Sequence, residues 1–390
     1  MLQNGLAKPA TLAGDVTVSS DADSLAYEWE RLAERVNASP FVRPGWILPW
    51  LQAFGTGTPQ VVTARRDGEL VGVLPMELKR GRLRSPANWH SPAFGPVVAD
   101  EGARELLLDG LFGGSRPSVE LDFLDGDARE IDAAARAAGR MVVERPMGCS
   151  PIVDISGCFE EYVNGLSRNR RKGLRRNRRL LEQQGSVSFD VHRGLHGVDA
   201  ALEEVFQVES SGWKGARGTA MASRPHTKRF YTDVARWAAD RDWLRLAVLR
   251  VDGQAIACDY SIEFDGAWYS LKSGYDESFR SFGPGALLLR DQLEHCFERG
   301  VSRMELLGNE DDFKLSWAGR SCDRTQVHAF NRSSAGIAHW SRAAGRERLR
   351  PVVHRVRQRV RDSVAKGHHL FGSLLALGER LGLEPLAAAL

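Results

Sequence analysis

A glycine-rich stretch that leads into an amphipathic segment is the clearest place for chemistry in this sequence. It reads Arg280-Ser-Phe-Gly-Pro-Gly-Ala286, and the apolar residues after it recur at helical spacing up to Gly300. The N-terminus of a helix exposes unpaired amides and a partial positive charge, and glycines let a bulky anion approach the backbone. The stretch therefore predicts a binding site for a phosphorylated ligand. A plain turn between a strand and a helix is the alternative.

Backbone amides from four residues would form this phosphate site. Pro284 lacks an N–H group and stiffens the bend, while the Arg280 guanidinium adds a charge suited to a diphosphate. The predicted ligand-binding residues are Arg280, Phe282, Gly283, Gly285, Ala286 and Leu287.

Two segments far apart in the chain share one layout. Val61–Leu78 and Leu244–Phe264 each contain two apolar runs around an Asp-Gly pair, which is a strong signal for a hairpin. Each follows a tryptophan-bearing helical stretch, and each is followed by a further strand, Ser118–Leu124 or Ser302–Gly308. This arrangement predicts two copies of one α+β unit, with the glycine-rich stretch in the second copy.

Length and composition agree with two soluble domains. The chain has 390 residues, of which 43% are hydrophobic and 26% charged, with a net charge of +3. Its five cysteines form no C-x-x-C pair, which favours reduced thiols in a cytoplasmic protein over disulfides or zinc. The first residues combine neither a positive leader nor an apolar core, so we expect no signal peptide.

Three further stretches lie in order around the glycine-rich stretch. They are LSRNRRKGLRRNRRLLEQQG (Leu166–Gly185), ESSGWKGARGTA (Glu209–Ala220) and GNEDDFKLSW (Gly308–Trp317). The glycine-rich stretch itself fits R/Q-x-x-G-x-G/A, the pyrophosphate-loop pattern of the GNAT acyl-CoA N-acyltransferases. Together these stretches resemble the CelD/BcsL-type GNAT acyltransferases, which are associated with bacterial cellulose and other exopolysaccharides. The resemblance covers about Ser39 to Phe330.

The resemblance implies an α+β, tandem GNAT-like fold with mixed central sheets flanked by helices. It divides the chain into residues 1–155, 156–332 and 333–390. The first part would be a degenerate GNAT-like domain, because no R-x-x-G-x-G occurs between Val61 and Gly148. The second would be the GNAT domain with the donor loop, and the third a basic helical tail outside the resemblance.

The activity implied is transfer of an acyl group, most simply acetyl, from acyl-CoA to an amine without a metal or an acyl-enzyme. The acceptor would be an amino sugar, free or lipid-linked, in exopolysaccharide assembly. Two alternatives remain open. One is a FemABX-like transferase that uses aminoacyl-tRNA, and the other is a non-catalytic GNAT-shaped protein that binds membrane or a nucleotide.

GNAT chemistry needs a donor to the thioester carbonyl, a base for the amine and an acid for the thiolate. The resemblance places the carbonyl donor among the backbone amides of Lys272–Tyr275, where it acts like an oxyanion-hole donor. Tyr275 would protonate the thiolate, unless it only packs beneath the loop. The candidate bases, in order, are Glu209, Glu310 and Asp259, for each of which a surface or capping role is the alternative.

The acceptor pocket is predicted to contain several basic and aromatic residues: Trp213, Lys214, Lys272, Lys314 and Trp317. Lys314 would hold a carboxylate, a phosphate or a sugar-linked phosphate, and an ordinary solvated lysine is the alternative. Lys272 would lie either at an exposed edge or paired with Glu209 or Glu310, since burial of an unpaired ammonium is costly.

Strict alternation along AWYSLKSGY divides this strand into two faces. It places Tyr269, Leu271 and Ser273 on one face. It places Trp268, Ser270 and Lys272 on the other.

Arginines crowd Leu166–Gly185, where Leu166, Leu174 and Leu181 form a narrow apolar stripe of one predicted helix. Such a helix suits coenzyme A phosphates, an acidic carrier protein, anionic lipids or nucleic acid. Nucleic acid is the least favoured, because no aromatics are interleaved. In the tail, valines at helical spacing between arginines predict either a helix on the inner face of the cytoplasmic membrane or a packed terminal helix. The oligomeric state is not indicated.

Overall fold

The computed structural model describes residues 14–308 and 310–347, and of Trp213 and Ala216 it describes only the backbone. The chain up to Arg332 forms one compact unit, and a second unit begins at Ser333. In that second unit residues 334–347 are helical. Most of the tail lies outside the described residues, including the valine pattern that predicts either a membrane helix or a packed terminal helix.

The first half contains both predicted hairpin strands and the helices that cover them. Its strands are β1 (Asp15–Ser19), β2 (Thr58–Arg66), β3 (Glu69–Lys79), β4 (Arg82–Arg84), β5 (Val97–Val98), β6 (Ser118–Leu124) and β7 (Met141–Asp154). Its helices are α1 (Ala22–Arg35), α2 (Pro44–Phe54), α3 (Glu101–Gly113) and α4 (Ala128–Ala137).

The second half repeats this order with an additional basic helix at its start. Its strands are β8 (Val187–His192), β9 (Leu244–Val251), β10 (Gln254–Phe264), β11 (Ala267–Tyr275), β12 (Arg303–Glu305) and β13 (Arg320–Phe330). Its helices are α5 (Phe159–Gly165), α6 (Arg168–Glu182), α7 (Val198–Ser211), α8 (Trp213–Ala216), α9 (Pro225–Asp240), α10 (Pro284–Arg299) and α11 (Asp312–Leu315).

The two Asp-Gly pairs form the predicted hairpin turns. Asp67 and Gly68 have φ of 52° and 81°, and Asp252 and Gly253 have φ of 47° and 82°. Two consecutive residues with positive φ match the twist of antiparallel strands, which explains the choice of Asp-Gly. The hairpins β2–β3 and β9–β10 therefore confirm that prediction.

The two halves exchange their last strands. The described strands form one sheet in the order β1-β2-β3-β4-β6-β13-β7-β12-β11-β10-β9-β8, and β5 pairs with β3 beside this path. Strand β13, from the second half, lies antiparallel between β6 and β7, and β7 in turn pairs with β12. The α+β class with a tandem repeat is thus confirmed, with one continuous sheet through both copies. The boundary at residue 155 stays a prediction.

Helices from both halves meet over the middle of the sheet. α2 packs against α9, the corresponding helix of the second copy. Buried aromatic side chains fill the contact, with Trp46 edge-on to Phe230 at 5.5 Å and to Phe41 at 4.8 Å. Aromatic pairs in this geometry add to the gain from burial. This shared core fixes the first half beside the cleft of the second.

Candidate active site

Strands β11 and β12 separate part of the way along their length and open a cleft. They pair in parallel only from Ala267–Tyr269 with Arg303–Glu305. Beyond Tyr269, β11 continues to Tyr275, while the chain after β12 bends away and the Leu306 amide donates to Pro151. The edge of β11 from Ser270 to Tyr275 therefore faces the cleft without a neighbouring strand.

A β-bulge at Leu271 reverses the faces predicted for the end of β11. Ser270 lies opposite Ser261, and Lys272 lies opposite Tyr260, so Leu271 has no partner on β10. The prediction that Lys272 shares a face with Trp268 and Ser270 is wrong, because strict alternation does not allow for the extra residue. Ser273 instead falls opposite Asp259, on the face that Lys272 was expected to occupy.

The glycine-rich stretch forms a short 3₁₀ turn followed directly by α10. Residues Glu277–Phe282 make the 3₁₀ turn, and Gly283 has left-handed angles of φ 62° and ψ 48°. A Cβ at Gly283 would lie 2.6 Å from the side-chain nitrogen of Asn177 in α6. Glycine is therefore favoured here for its left-handed conformation, and it leaves room for the Asn177 side chain.

Three of the four amides predicted to be open already have backbone partners. Gly283 donates to Arg280 at 3.1 Å, and Ala286 and Leu287 both donate to the Gly283 carbonyl, at 3.0 and 3.2 Å. The left-handed angles of Gly283 point its carbonyl into the first turn of α10, which the sequence pattern did not reveal. Of the four predicted amides, only that of Gly285 has no backbone partner among the described residues. The predicted phosphate site is therefore reduced to this amide and Arg280.

The turn, β11 and α10 enclose a cavity of about 470 Å³, which we call the loop cavity. Its walls contain Ser270, Ser273, Gly274, Arg280, Gly283, Gly285, Ala286 and Gln292 among others. Of the predicted ligand-binding residues, Arg280, Gly283, Gly285 and Ala286 line it. Phe282 and Leu287 do not, because both pack into the core of the second half.

The first candidate base, Glu209, is held by the protein itself. Its side chain is fully buried, and it accepts the Met221 amide at 2.7 Å and the Lys214 Nζ at 3.3 Å. Gly274 permits this position, since a Cβ there would lie 2.7 Å from the Glu209 Cα. A carboxylate with both oxygens engaged is better suited to holding Lys214 than to taking a proton.

The second and third candidate bases differ in their placement. Glu310 is exposed, accepts a hydrogen bond from Ser321 at 2.5 Å and lines neither cavity described here. Asp259 lies at the wall of the loop cavity and accepts hydrogen bonds from Ser270 at 2.7 Å, from Gln292 at 2.9 Å and from Ser261. Burial raises the pKa of Asp259, and the three donors oppose this shift.

Tyr275 occupies the position expected for it, at the end of β11 and on the wall of the loop cavity. Its ring lies against the loop, with Cδ1 3.6 Å from the place where a Cβ on Gly285 would be. Tyr275 therefore lies beside the glycines, and its role as the proton donor stays a prediction.

A second cavity, of about 280 Å³, adjoins the first across β11, and we call it the lysine cavity. Lys214, Ser270, Ser273, Leu306 and Lys314 line both cavities, so the two meet at the open edge of β11. Lys272 lines the lysine cavity.

Trp317 lines neither cavity: it is buried beneath Arg170, whose guanidinium lies 5.0 Å from its ring. The Trp213 side chain lies outside the described structure.

The first half supplies much of the lysine cavity, which sequence reasoning missed. The residues concerned include Trp89, His90, Pro92, Phe123, Met147 and Ser150. Trp89 and His90 belong to the segment between β4 and α3, which corresponds in the repeat to the glycine-rich stretch of the second half. That correspondence, together with a Trp-His pair between two prolines, was the available signal in the sequence.

Two bulky residues with strained backbone angles line the lysine cavity. Phe123 has φ of 59° and lies near the end of β6, and Leu307 has φ of 44° and lies two residues after β12 in the other copy. A positive φ is a rare and costly conformation for such residues and is found mostly at functional sites. At Leu307 it turns the carbonyl toward Lys314, which donates to it at 2.6 Å.

The predicted basic helix forms and borders the loop cavity. α6 begins after the Ser167 cap and buries Leu174 and Leu181, whereas Leu166 lies before it. Arg170 lines the loop cavity and stacks on Phe313 and Trp317, and Arg178 pairs with Asp291 of α10. The arginines on its outer side share a groove with Glu182, Glu294 and Glu298, so the charge there is mixed.

Replacing Gly283 by alanine should weaken binding of coenzyme A at least about tenfold, because the new Cβ would displace the Asn177 side chain of α6 from the loop. Gly300→Ala is the matched control. Gly300 ends the same helix with a φ of 70°, and no atom lies within 4 Å of its Cβ position. Both variants should lose about 1 kcal/mol of unfolding free energy through backbone strain. Calorimetric titration with coenzyme A tests the difference, and equal affinities would contradict the role given to the loop.

Comparison with known proteins agrees with this geometry. Residues 168–315 match the family model described as an acetyltransferase (GNAT) domain. No curated protein matches the chain. Among the described residues, no helix is both apolar enough and long enough to cross a membrane.

Solved structures share the fold at low sequence identity. The C-terminal domain of a putative lysylphosphatidylglycerol synthetase from Agrobacterium fabrum has a TM-score of 0.52 at 15% identity, over 81% of this chain and 95% of that one. FemX has a TM-score of 0.51 at 12% identity, over 77% and 95%. A conserved protein of unknown function from Bacteroides thetaiotaomicron has 0.50 at 12%, over 83% and 99%. With its loop, its cleft and the family model matched over residues 168–315, the chain is an acyltransferase with a GNAT-like fold.

Proposed function

We propose that the protein transfers an acetyl group from acetyl-CoA to the amine of an amino sugar, in the assembly of an exopolysaccharide. The observation that carries this proposal is the meeting of the two cavities at Ser270 and Ser273, beside the unpaired edge of β11. A donor in one cavity and an acceptor in the other would meet at that edge. The exopolysaccharide setting rests on the CelD/BcsL-type resemblance.

The loop cavity is the proposed donor site. Its size of about 470 Å³ is within the usual range for small-molecule sites. The Gly285 amide and the Arg280 guanidinium would bind the diphosphate, and Arg170 adds positive charge to the same wall. In the first half, Asp100 caps α3 by accepting the Ala103 amide and pairs with Arg66. The Asp100 carboxylate thus lies at the N-terminus of α3, where a diphosphate would otherwise bind. This supports our proposal that the first half has no donor site.

The reaction proposed is direct attack in a ternary complex. The amine nitrogen adds to the thioester carbonyl, an amide of the open β11 edge binds the oxygen, and the carbon–sulfur bond then breaks. Tyr275 donates its proton to the departing thiolate, and the proton that the nitrogen loses as the amide forms then restores the Tyr275 hydroxyl. Glu209 acts as a positioning residue that holds Lys214. The nucleophile is the neutral form of the amine, whose nitrogen lone pair forms the new bond.

The rim of the lysine cavity suits a sugar. Trp89 lines the cavity yet is 57% exposed, and its edge-on contact with Phe123 at 5.2 Å holds the indole in place. An exposed aromatic face beside polar groups is a suitable platform for a pyranose ring. This arrangement supports an amino sugar over an aliphatic amine.

An aminoacyl-tRNA donor is the second candidate, because the arginine-rich α6 borders the loop cavity. The acidic residues Glu182, Glu294 and Glu298 in the outer groove of α6 weaken this candidate, since they would repel a polyanion.

A thiol-release assay with acetyl-CoA and amino sugars, together with calorimetry against coenzyme A and bulk tRNA, tests the proposal. Turnover with coenzyme binding supports it. Binding of tRNA without coenzyme binding would instead favour the second candidate.

Arg280→Glu should weaken coenzyme A binding about tenfold and leave the melting temperature unchanged. The side chain is 76% exposed and its only described partner is Glu277, at 3.9 Å, so little folding free energy depends on it. Arg229→Glu is the matched control, because Arg229 is 72% exposed and lies 3.5 Å from Asp233 on α9. An Arg280→Glu protein that binds coenzyme A as tightly as the control would exclude the assigned diphosphate site.

A further inference from the structure

Three lysines from three separate elements line the lysine cavity. Lys214 comes from α8, Lys272 from β11 and Lys314 from α11. Lys214 donates to Glu209 and, at 2.5 Å, to the Ser273 carbonyl, and Lys314 donates to the Leu307 carbonyl. Lys272 differs from both, because its ammonium makes no hydrogen bond or ion pair with any described residue. The bulge at Leu271 is what turns Lys272 into this cavity.

The charges around Lys272 are predominantly positive. Burial and then the charges of Lys214 and Lys314 lower the pKa of Lys272 to about 8, against the opposing charge of Glu209. His90 carries no charge near neutral pH, since burial and then the charge of Lys272 lower its pKa to about 3. Arg324 is already paired, with Asp125 at 2.8 Å and Glu305 at 3.4 Å. The positive charge of the Lys272 ammonium therefore has no directly paired carboxylate among the described residues of the lysine cavity.

A hydroxyl without a partner faces the same cavity. Ser150 on β7 is 4% exposed and lines the cavity, and its Oγ has no hydrogen bond. Buried polar atoms are nearly always hydrogen-bonded, so an orphaned hydroxyl in a cavity wall indicates a ligand atom. A group that accepts hydrogen bonds would satisfy Ser150 and Lys272 together.

From these observations we infer that the acceptor carries a carboxylate or phosphate group, which binds between Lys272, Ser150 and the two neighbouring lysines. This inference rests on the proposed function and names the class of acceptor: an anionic amino sugar. The anion neutralises the excess positive charge that the fold leaves in the cavity, and its oxygens accept from the Lys272 ammonium and the Ser150 hydroxyl. It also fixes the sugar, so that its amine points toward the open edge of β11.

A labelling experiment tests the anion site without requiring turnover. The full chain is treated with limiting acetic anhydride at pH 8, and modification of each lysine is measured by peptide mass spectrometry. Glucosamine 6-phosphate or 2-amino-2-deoxyglucuronic acid should slow the labelling of Lys272 about tenfold, whereas glucosamine should not. Lys228, an exposed lysine paired with Glu203 at 2.7 Å, should label equally in all samples. Equal labelling of Lys272 with and without the anionic sugars would overturn the inference.

The same three sugars as acceptors in the thiol-release assay identify the preferred anion. We expect kcat/KM to be at least about tenfold higher for the phosphate or for the carboxylate than for glucosamine. Lys272→Arg should keep this preference, and Lys272→Met and Ser150→Ala should reduce it, with Lys228→Met as the control. Turnover without any preference for an anion would overturn the inference and leave the proposed function intact. Protection of Lys272 without turnover would uphold the anion site and reject the proposed function.

Discussion

Lys272→Met should raise the free energy of unfolding at pH 7 by up to about 3 kcal/mol. The ordinary pKa of lysine is 10.5, and that of Lys272 is lowered to about 8 by burial and by Lys214. This difference of about 2.5 pH units means that keeping the ammonium charged lowers the free energy of unfolding by about 3 kcal/mol. Methionine has a similar shape without the charge, so the substitution removes that cost.

The pH dependence of this gain distinguishes it from better packing. Below pH 8 Lys272 is protonated in both the folded and the unfolded chain, so its charge destabilises the folded chain by the full amount. Between pH 8 and 10.5 the folded chain loses the proton first, so the wild-type protein gains stability with pH and the advantage of the methionine variant shrinks.

Urea unfolding of the wild type, Lys272→Met and the control Lys228→Met at pH 7 and pH 10.5 measures this effect. Lys228 is exposed and paired with Glu203, so its replacement should change stability by less than about 1 kcal/mol. A Lys272→Met protein that is no more stable than the wild type at pH 7 would contradict the uncompensated charge. If Lys272→Met both stabilises the protein and abolishes the preference for an anionic acceptor, then Lys272 lowers stability in order to bind the acceptor.

Asp259→Leu should lower the free energy of unfolding by about 3 kcal/mol or more. Asp259 is completely buried on β10 and accepts hydrogen bonds from Ser261, Ser270 and Gln292. Leucine fills similar space but leaves the buried donors Ser261 and Gln292 without this acceptor, each at a cost of about 1–3 kcal/mol, and also the half-buried Ser270. Asp259→Asn should lose less, because its amide oxygen still accepts.

Asp190→Leu is the control for this second prediction. Asp190 lies on β8 of the same sheet, is 58% exposed and pairs with Arg250 at 2.9 Å, so its loss should cost less than about 1 kcal/mol. Ser270 lines both cavities, and we therefore expect Asp259→Leu also to slow thiol release, by releasing the Ser270 hydroxyl. Equal stability of the two leucine variants would show that the buried network is dispensable.

The sequence alone determined the local structure and the repeat. Asp-Gly pairs require positive φ and so predict hairpin turns, apolar residues at helical spacing predicted α10, and the duplicated order predicted two copies. The glycine-rich stretch also placed Arg280, Gly285 and Tyr275 on one cavity. These features depend on residues close together in the chain, whose conformational preferences act locally.

Tertiary structure decided the rest, because it depends on contacts between distant residues. The exchange of β7 and β13 has no local signal, and neither does the use of Trp89, His90 and Ser150 from the first half to build a cavity for the second. The bulge at Leu271 inserts one residue and so reverses every face after it, which moved Lys272 across the sheet. Periodicity assumes an unbroken strand, and where the strand breaks is set by what packs on both of its sides.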